Sequence, residues 1–219
     1  MKVLIAEDKL EKPEPKQYGV FELLEKDLDP DPFKQFGIWF DEAQRAGLVH
    51  PDAFALATVS EDGRPSARML LLKGFDENGF VFYTNSESRK GDELHGNSNA
   101  AICFWWDKLE RQVRIEGKVE RVTDEEADLY FSTRPRGSRI GAWASRQTSV
   151  IESRDFLDRQ YHNYELEYAD MDIPRPVYWN GYRLSPSTFE YWQGRPNRLH
   201  DRLRYRKKRD GWVIERLAP

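Results

Sequence analysis

The chain has one cysteine, Cys103, in 219 residues. Neither an intramolecular disulfide nor a multi-cysteine zinc or iron–sulfur site can form within it, and a reducing compartment, the cytoplasm, is the expected location. Long apolar runs are also missing. The run from Val3 to Ala6 gives way to Glu7 and Asp8, too soon for the core of a secretory signal. No stretch approaches the ~20 apolar residues of a membrane-spanning helix. The glycine signatures of nucleotide sites are absent, with no G-x-G-x-x-G after a strand-like run and no G-x-x-x-x-G-K-[ST] loop. That argues against a dinucleotide-binding βαβ unit and a P-loop enzyme. His50, His95, His162 and His200 are scattered, with no H-E-x-x-H and no G-x-S-x-G elbow elsewhere, so no metal site or serine-hydrolase site is expected. A net charge of −4 supplies no global field toward nucleic acid or anionic membrane.

What the chain does have is aromatic mass and charge. Seven Trp, ten Tyr and twelve Phe supply enough apolar surface for one core in a chain of this length. Residues 1–28, rich in Pro, Glu and Asp without a sustained apolar period, are expected to form a mobile arm, and residues 29–219 one domain. Phe33, Phe36, Phe40 and Ala43 recur on one helical face that Gly47 ends. From Ala53 onward the pattern changes to short apolar runs, over residues 53–60, 66–73, 80–84, 100–106, 112–122, 177–184, 189–192, 199–206 and 212–217. Asp62-Gly63, Asn78-Gly79 and Asp210-Gly211 mark hairpins between them. Three helices interrupt: one opened by the capping box Thr123-Asp124-Glu125-Glu126 and stopped by Pro135, a short one over 138–145, and a charged one over 152–168. The expectation is a mainly β, antiparallel fold with flanking helices, closed into a barrel that removes exposed strand edges.

Four segments carry groups suited to phosphate. Between Arg195 and Arg209 lie eight Arg or Lys and His200, against one acid, Asp201. Read as a strand, Arg198-Leu199-His200-Asp201-Arg202 places positions 198, 200 and 202 on one face. Like charges so close repel, which favours an anion among them over the plainer solvated basic face. In Ser88-Arg89-Lys90, a helix capped by Ser88 would offer free N–H groups and two cations, or be an ordinary exposed cap. Tyr130 and Arg134 share one side of a helix, and Ser138 opens the next, a set of hydroxyls around a bidentate guanidinium. Arg68 and Lys73 flank Met69-Leu70-Leu71-Leu72. Period two sends the two cations to opposite faces unless a bulge intervenes or Lys73 lies past the strand end, and the apolar residues read as core.

From about Asp29 to Pro219 these segments together resemble the pyridoxamine 5'-phosphate oxidase family. The resemblance is carried by Arg68-Met69-Leu70-Leu71-Leu72-Lys73-Gly74, Phe82-Tyr83-Thr84-Asn85 with Ser88-Arg89-Lys90, and Glu110-Arg111-Gln112-Val113. It continues through Ser132-Thr133-Arg134-Pro135-Arg136, Ile140-Gly141-Ala142-Trp143, Ser145-Arg146-Gln147 and Phe189-Glu190-Tyr191-Trp192-Gln193-Gly194. Arg198-Leu199-His200-Asp201-Arg202 and the closing Glu215-Arg216-Leu217-Ala218-Pro219 complete it. Thr148 stands where the family more often has Ser, and the segment around Lys16-Gln17-Tyr18-Gly19 matches the family's basic N-terminal stretch poorly.

The resemblance implies an FMN-binding split β-barrel acting as a homodimer, with FMN held between subunits. It implies FMN contacts at Arg68, Met69, Leu70, Leu71, Leu72, Lys73, Tyr83, Thr84, Arg89, Lys90, Gln112, Gln147, Thr148, Trp192 and Arg202. Substrate phosphate contacts would come from Lys73, Tyr130, Arg134 and Ser138, with Arg198 and His200 at the reacting carbon as the catalytic pair. The implied reaction oxidises pyridoxamine or pyridoxine 5'-phosphate to pyridoxal 5'-phosphate, with O2 reduced to hydrogen peroxide and no metal. Other readings are a related phenazine-pathway flavin oxidase, a non-catalytic FMN-binding module, and a nucleic-acid binder using residues 195–209.

Overall fold

Helix α1 (Pro32–Arg45) seeds the core of the computed structural model, which describes residues 18, 19 and 21–219. Asp31 caps it, its carboxylate accepting from the Phe33 N–H at 2.9 Å, and Pro32 occupies the first helical position, where its missing N–H costs nothing. The expected apolar face is the buried one: Phe36, Trp39 and Ala43 are nearly inaccessible. Phe36 packs against Phe40, Phe75, Phe80, Phe104 and Trp106, at centroid distances of 4.8–6.1 Å. Burying each such ring contributes about 1.5–3 kcal/mol.

Around α1 runs one antiparallel sheet of nine strands: β1 (Ala53–Val59), β2 (Pro65–Leu71), β3 (Gly74–Asp76), β4 (Gly79–Asn85), β5 (Asn99–Trp106), β6 (Arg111–Arg121), β7 (Trp179–Gln193), β8 (Asp201–Lys208) and β9 (Gly211–Arg216). The order is β2-β1-β5-β6-β7-β4-β3, with β8 and β9 also attached to β7. The first half of β7 pairs β4 and its second half pairs β8, so the barrel splits along this strand. Inward and outward residues alternate throughout β1 and β2, whereas β4 is buried along most of its length. Phe54, Leu56, Ile102, Phe104, Val113, Ile115, Phe189, Tyr191, Leu203 and Tyr205 face inward and are buried.

The hairpin dipeptides fall where expected, with Gly63, Gly79 and Gly211 at positive φ. Two expected strands, 177–184 and 189–192, are instead the single strand β7. Pro186 lies where β6 shifts register at Glu116/Gly117, and a bulge is a place where a strand tolerates proline. Gly117 permits the close approach, since a Cβ there would sit 2.1 Å from the Ser185 carbonyl oxygen. Strand β3, three residues long, was not anticipated, being too short to show a period.

Helices α3 (Asp124–Thr133), α4 (Arg136–Ala144) and α5 (Arg154–Glu167) form a second layer. The Thr123 hydroxyl accepts from the Glu126 N–H at 3.1 Å, as the capping box requires. Phe131, Ile140, Tyr168, Ile173 and Trp179 make the small core beneath this layer.

The arm assigned to residues 1–28 lies partly outside the described residues, and the rest of it is packed. Leu23 and Leu28 are buried. The Leu23 N–H donates to Asp201, Arg216 pairs with Glu25, and Arg195 pairs with Glu22. Two apolar side chains too far apart to show a period suffice to anchor residues 21–28.

Candidate active site

The first cationic group gathers at the β2 edge, where α2 (Arg89–Gly96) meets β1. Arg68 lies opposite Leu56, and its Nη1 donates to the Leu56 carbonyl at 3.1 Å and to Thr58 Oγ1 at 2.6 Å. Its Nη2 pairs with Glu93 at 3.2 Å. Arg89 Nε meets the same carboxylate at 2.8 Å. Lys90 Nζ donates to Gln147 Oε1 at 2.7 Å and to Ser88 Oγ at 3.1 Å. Burial, then the nearby Arg68 charge, pushes the Lys90 ammonium down to about 8. Thr84 Oγ1 reaches the same Gln147 oxygen at 3.2 Å.

Ser88 does not cap α2 as expected. Its hydroxyl donates back to the Asn85 carbonyl at 2.6 Å, and Thr148 Oγ1 accepts from the Arg89 N–H at 3.0 Å instead. Thr148 holds this position with φ at 69°, a conformation that a non-glycine residue adopts mainly under local constraint. Gly91 lets the helix start so close to the preceding turn, since a Cβ there would stand 2.1 Å from the Ser86 carbonyl oxygen.

The second group surrounds a cavity of about 280 Å³ lined by Arg134, Ser138, Asn85, Gln147, Gly141 and Trp179, among others. The Arg134 guanidinium lies 4.6 Å over the Trp179 ring, and its Nη1 is buried without a hydrogen-bond partner among the described residues. Burial lowers its pKa from the ordinary value. A buried donor left unpaired costs about 1–3 kcal/mol, so this one fits an anionic ligand at Ser138. Tyr130 stands beside the cavity, stacked on Tyr83 at 4.1 Å. Lys73 lies past the end of β2 and its Nζ pairs with Asp52 at 3.4 Å, which resolves the two-face conflict. Of the intervening residues only Leu72 is fully buried and Leu70 packs partly against the core, whereas Met69 (64% exposed) and Leu71 (40%) face outward, so the expectation of core holds for half of them.

The third group lies on the sheet's outer face. Trp105, Gln112, Trp192 and Arg202 form one cross-strand row over β5, β6, β7 and β8. Arg202 Nε donates to Glu190 at 2.9 Å. The expected single strand face of Arg198, His200 and Arg202 does not form. β8 begins at Asp201, and Arg198 ends a tight turn, Pro196–Arg198, in which Asn197 and Arg198 have φ of 57° and 62°. Pro196, with no N–H to give a ladder, and this left-handed pair break the alternation. His200 is nonetheless returned to the row, its ring 4.5 Å from that of Trp192. Its Nδ1 accepts from the Arg195 N–H at 3.1 Å, which places the proton of the neutral ring on Nε2. Burial, then the Arg198 charge, lowers its pKa.

The sequence reading missed Tyr18, whose ring meets Trp192 at 5.6 Å and His200 at 5.1 Å. It also missed Trp105, 5.8 Å from Trp192. Trp105 had a visible signal, an aromatic out of phase with buried Phe104 and Trp106. Glu93 and Asp52, the carboxylates holding the candidate cations, had none. Half of the basic run is paired, with Arg195, Arg202, Arg204 and Arg206 in ion pairs to Glu22, Glu190 and Glu215.

Comparison with known proteins covers nearly the whole chain. The family model described as pyridoxamine 5'-phosphate oxidase matches residues 40–167, and that described as pyridoxine 5'-phosphate oxidase C-terminal dimerisation region matches residues 179–219. A pyridoxine/pyridoxamine 5'-phosphate oxidase of Burkholderia thailandensis is 58% identical over 196 residues, 88% of this chain and 91% of that one. One of Rubrobacter xylanophilus is 54% identical over 204 residues, 93% and 94% of the two chains. The crystal structure of PhzG from Burkholderia lata 383, in complex with tetrahydrophenazine-1-carboxylic acid, superposes with a TM-score of 0.86 at 31% identity, covering 91% of this chain and 99% of that one. Among the described residues no helix is long and apolar enough to cross a membrane. The antiparallel split barrel, its flanking helices and these relatives together show that the chain belongs to the pyridoxamine 5'-phosphate oxidase family.

Proposed function

We propose that the protein is an FMN-dependent oxidase that converts pyridoxamine 5'-phosphate, and pyridoxine 5'-phosphate, to pyridoxal 5'-phosphate in the synthesis and salvage of the vitamin B6 cofactor. O2 is the final acceptor and hydrogen peroxide the by-product, and the cytoplasm the expected location. The carrying observation is the buried, unpartnered Arg134 Nη1 beside Ser138, standing next to a separate cradle of Arg68, Arg89 and Lys90. Flavin phosphate and substrate phosphate need two such anion sites. A phenazine carboxylate would leave this hydroxyl-rich set around Arg134, Tyr130 and Ser138 without its phosphate.

When bound, FMN supplies the hydride acceptor at the ring and the route to O2. The protein's part is to hold and orient. Arg68, Arg89, Lys90, Thr84, Gln147 and Thr148 would take the FMN phosphate side, with Met69 to Lys73 and Tyr83 nearby. Lys73, Tyr130, Arg134 and Ser138 would take the substrate phosphate. Arg198 would orient the reacting end of the substrate. His200, neutral and carrying its proton on Nε2, offers a donor there and not a base.

Gln112, Trp192 and Arg202 would complete the flavin site from a second copy. Arg68 shares the inner side of the sheet with Leu56, whereas the Gln112 row lies on the outer face, with Gln112 three strand steps (about 14 Å) across and three residues (about 10 Å) along from Arg68. One protomer cannot wrap one flavin with both. The outer face of β1, β2 and β5 suits a second copy: Ala53, Ala55, Ala57 and Ala101 leave it shallow, and Met69, Leu71 and Trp105 leave exposed apolar surface on it. A homodimer with FMN at the interface follows. The test is the visible spectrum of the purified protein with oxygen uptake on pyridoxamine 5'-phosphate and on unphosphorylated pyridoxamine. A colourless protein, or equal KM for the two amines, would overturn the reading.

A further inference from the structure

Glu93 has no assigned role, yet it is a carboxylate only 5% exposed, buried at the centre of the cationic cradle. Its Oε2 accepts from Thr58 Oγ1 at 2.5 Å, Ser66 Oγ at 2.5 Å and Arg68 Nη2 at 3.2 Å. Its Oε1 accepts from Arg89 Nε at 2.8 Å. The direction of these bonds is forced. A guanidinium only donates, so Thr58 and Ser66, which accept from Arg68 Nη1 and Nη2, must turn their own protons to Glu93. That closes two relays, from Arg68 through each hydroxyl to one ionised carboxylate. The hydrogen bonds from both hydroxyls and both arginines hold Glu93 down to about 2, against the cost of its burial.

The charge count has the same sense. Arg68, Arg89 and Lys90 less Glu93 leave about two positive charges, the opposite of the roughly −1.5 to −2 of a phosphate monoester at neutral pH. Without Glu93, three cations would crowd one edge of β2 and the start of α2, and their repulsion would drive the exposed Arg89 away. With Glu93, Arg68 is locked and Arg89 is tied, among the described residues, by Nε alone, leaving its terminal nitrogens to donate elsewhere. A preformed site keeps the cost of ordering these side chains out of the binding step.

We infer that Glu93 is a positioning residue of the cradle, which fixes Arg68 and Arg89 and matches the cradle's charge to a phosphate monoester. The inference rests on the reading of this cradle as the site of the FMN phosphate. Its test is titration of the full chain, stripped of flavin, with FMN and with riboflavin, following flavin fluorescence. The ratio of the two dissociation constants isolates the phosphate's contribution, which a merely structural role would not move. Glu93→Gln should lower the FMN preference about tenfold or more, because the amide cannot accept from both hydroxyls and both arginines, while riboflavin binding stays within about twofold. Ser66→Ala, which breaks one relay and leaves every charge in place, should lower the preference by a smaller factor, and it carries the test if Glu93→Gln fails to fold. An unchanged or increased preference in either variant overturns the role of Glu93. If wild-type protein shows no preference for FMN, or Arg89→Ala retains the whole of it, the reading of the cradle itself fails.

Discussion

FMN should bind about tenfold more weakly at pH 9 than at pH 7, and Lys90 is the reason. Its ammonium is buried against Ser88, Gln147 and Arg68, which lowers its pKa to about 8. Its neighbour Glu93 is held near 2, so the change between pH 7 and 9 is assigned to Lys90. A bound phosphate prefers the ammonium, and above pH 8 each binding event must therefore take up a proton. The apparent dissociation constant then grows about tenfold per pH unit once Lys90 is neutral in the free protein. The sign for the flavin-free protein is opposite. A lysine whose folded pKa lies below its unfolded value binds protons more weakly when folded, so the stability of the stripped protein rises with pH between about 8 and 10.5 through this group. The gap in Tm between loaded and stripped protein should close from pH 7 to pH 9. The assay is fluorescence titration at constant ionic strength from pH 6.5 to 9, beside thermal unfolding of both forms. Lys90→Arg should flatten the profile. A pH-independent dissociation constant in the wild-type protein, or an equally steep one in Lys90→Arg, would refute the assignment.

Five further substitutions test these assignments. Arg198→Ala should raise KM and lower kcat while the protein stays yellow, Arg202→Ala should lose flavin that excess FMN partly restores, and His200→Asn should cost well under the ~10²-fold of a lost proton transfer; steady-state kinetics beside flavin titration tells these apart. Leu71→Arg, on the exposed outer face of β2, should give a folded monomer that binds FMN weakly, read by light scattering and absorbance, and a yellow dimer would remove this face from the interface. Phe36→Ala should destabilise the fold by about 3–5 kcal/mol in denaturant unfolding, because five aromatic rings close on that side chain; a loss below about 1 kcal/mol would refute its place at the centre of the core.

Period and turn chemistry alone determined most of the fold. The α1 face of Phe36 and Ala43, the capping box at Thr123, the hairpin glycines and seven of the nine strands could be read locally, because each depends on neighbours a few residues away. The residue types of the two proposed phosphate sites, Arg89-Lys90 and Arg134 with Ser138, were legible for the same reason. Tertiary structure decided how those residues are held. Glu93 can tie Arg68 to Arg89 only because β2 and α2 meet around it. Thr148 caps α2 from 59 residues away. Pro196 and a left-handed pair turn an apparent Arg198-His200-Arg202 strand into a turn, and Trp192 and Tyr18 then hold His200 at the row it left. The two apolar residues that bury residues 21–28, Leu23 and Leu28, show no period of their own; their burial depends on a surface that exists only once β8 and β9 have formed beside α1.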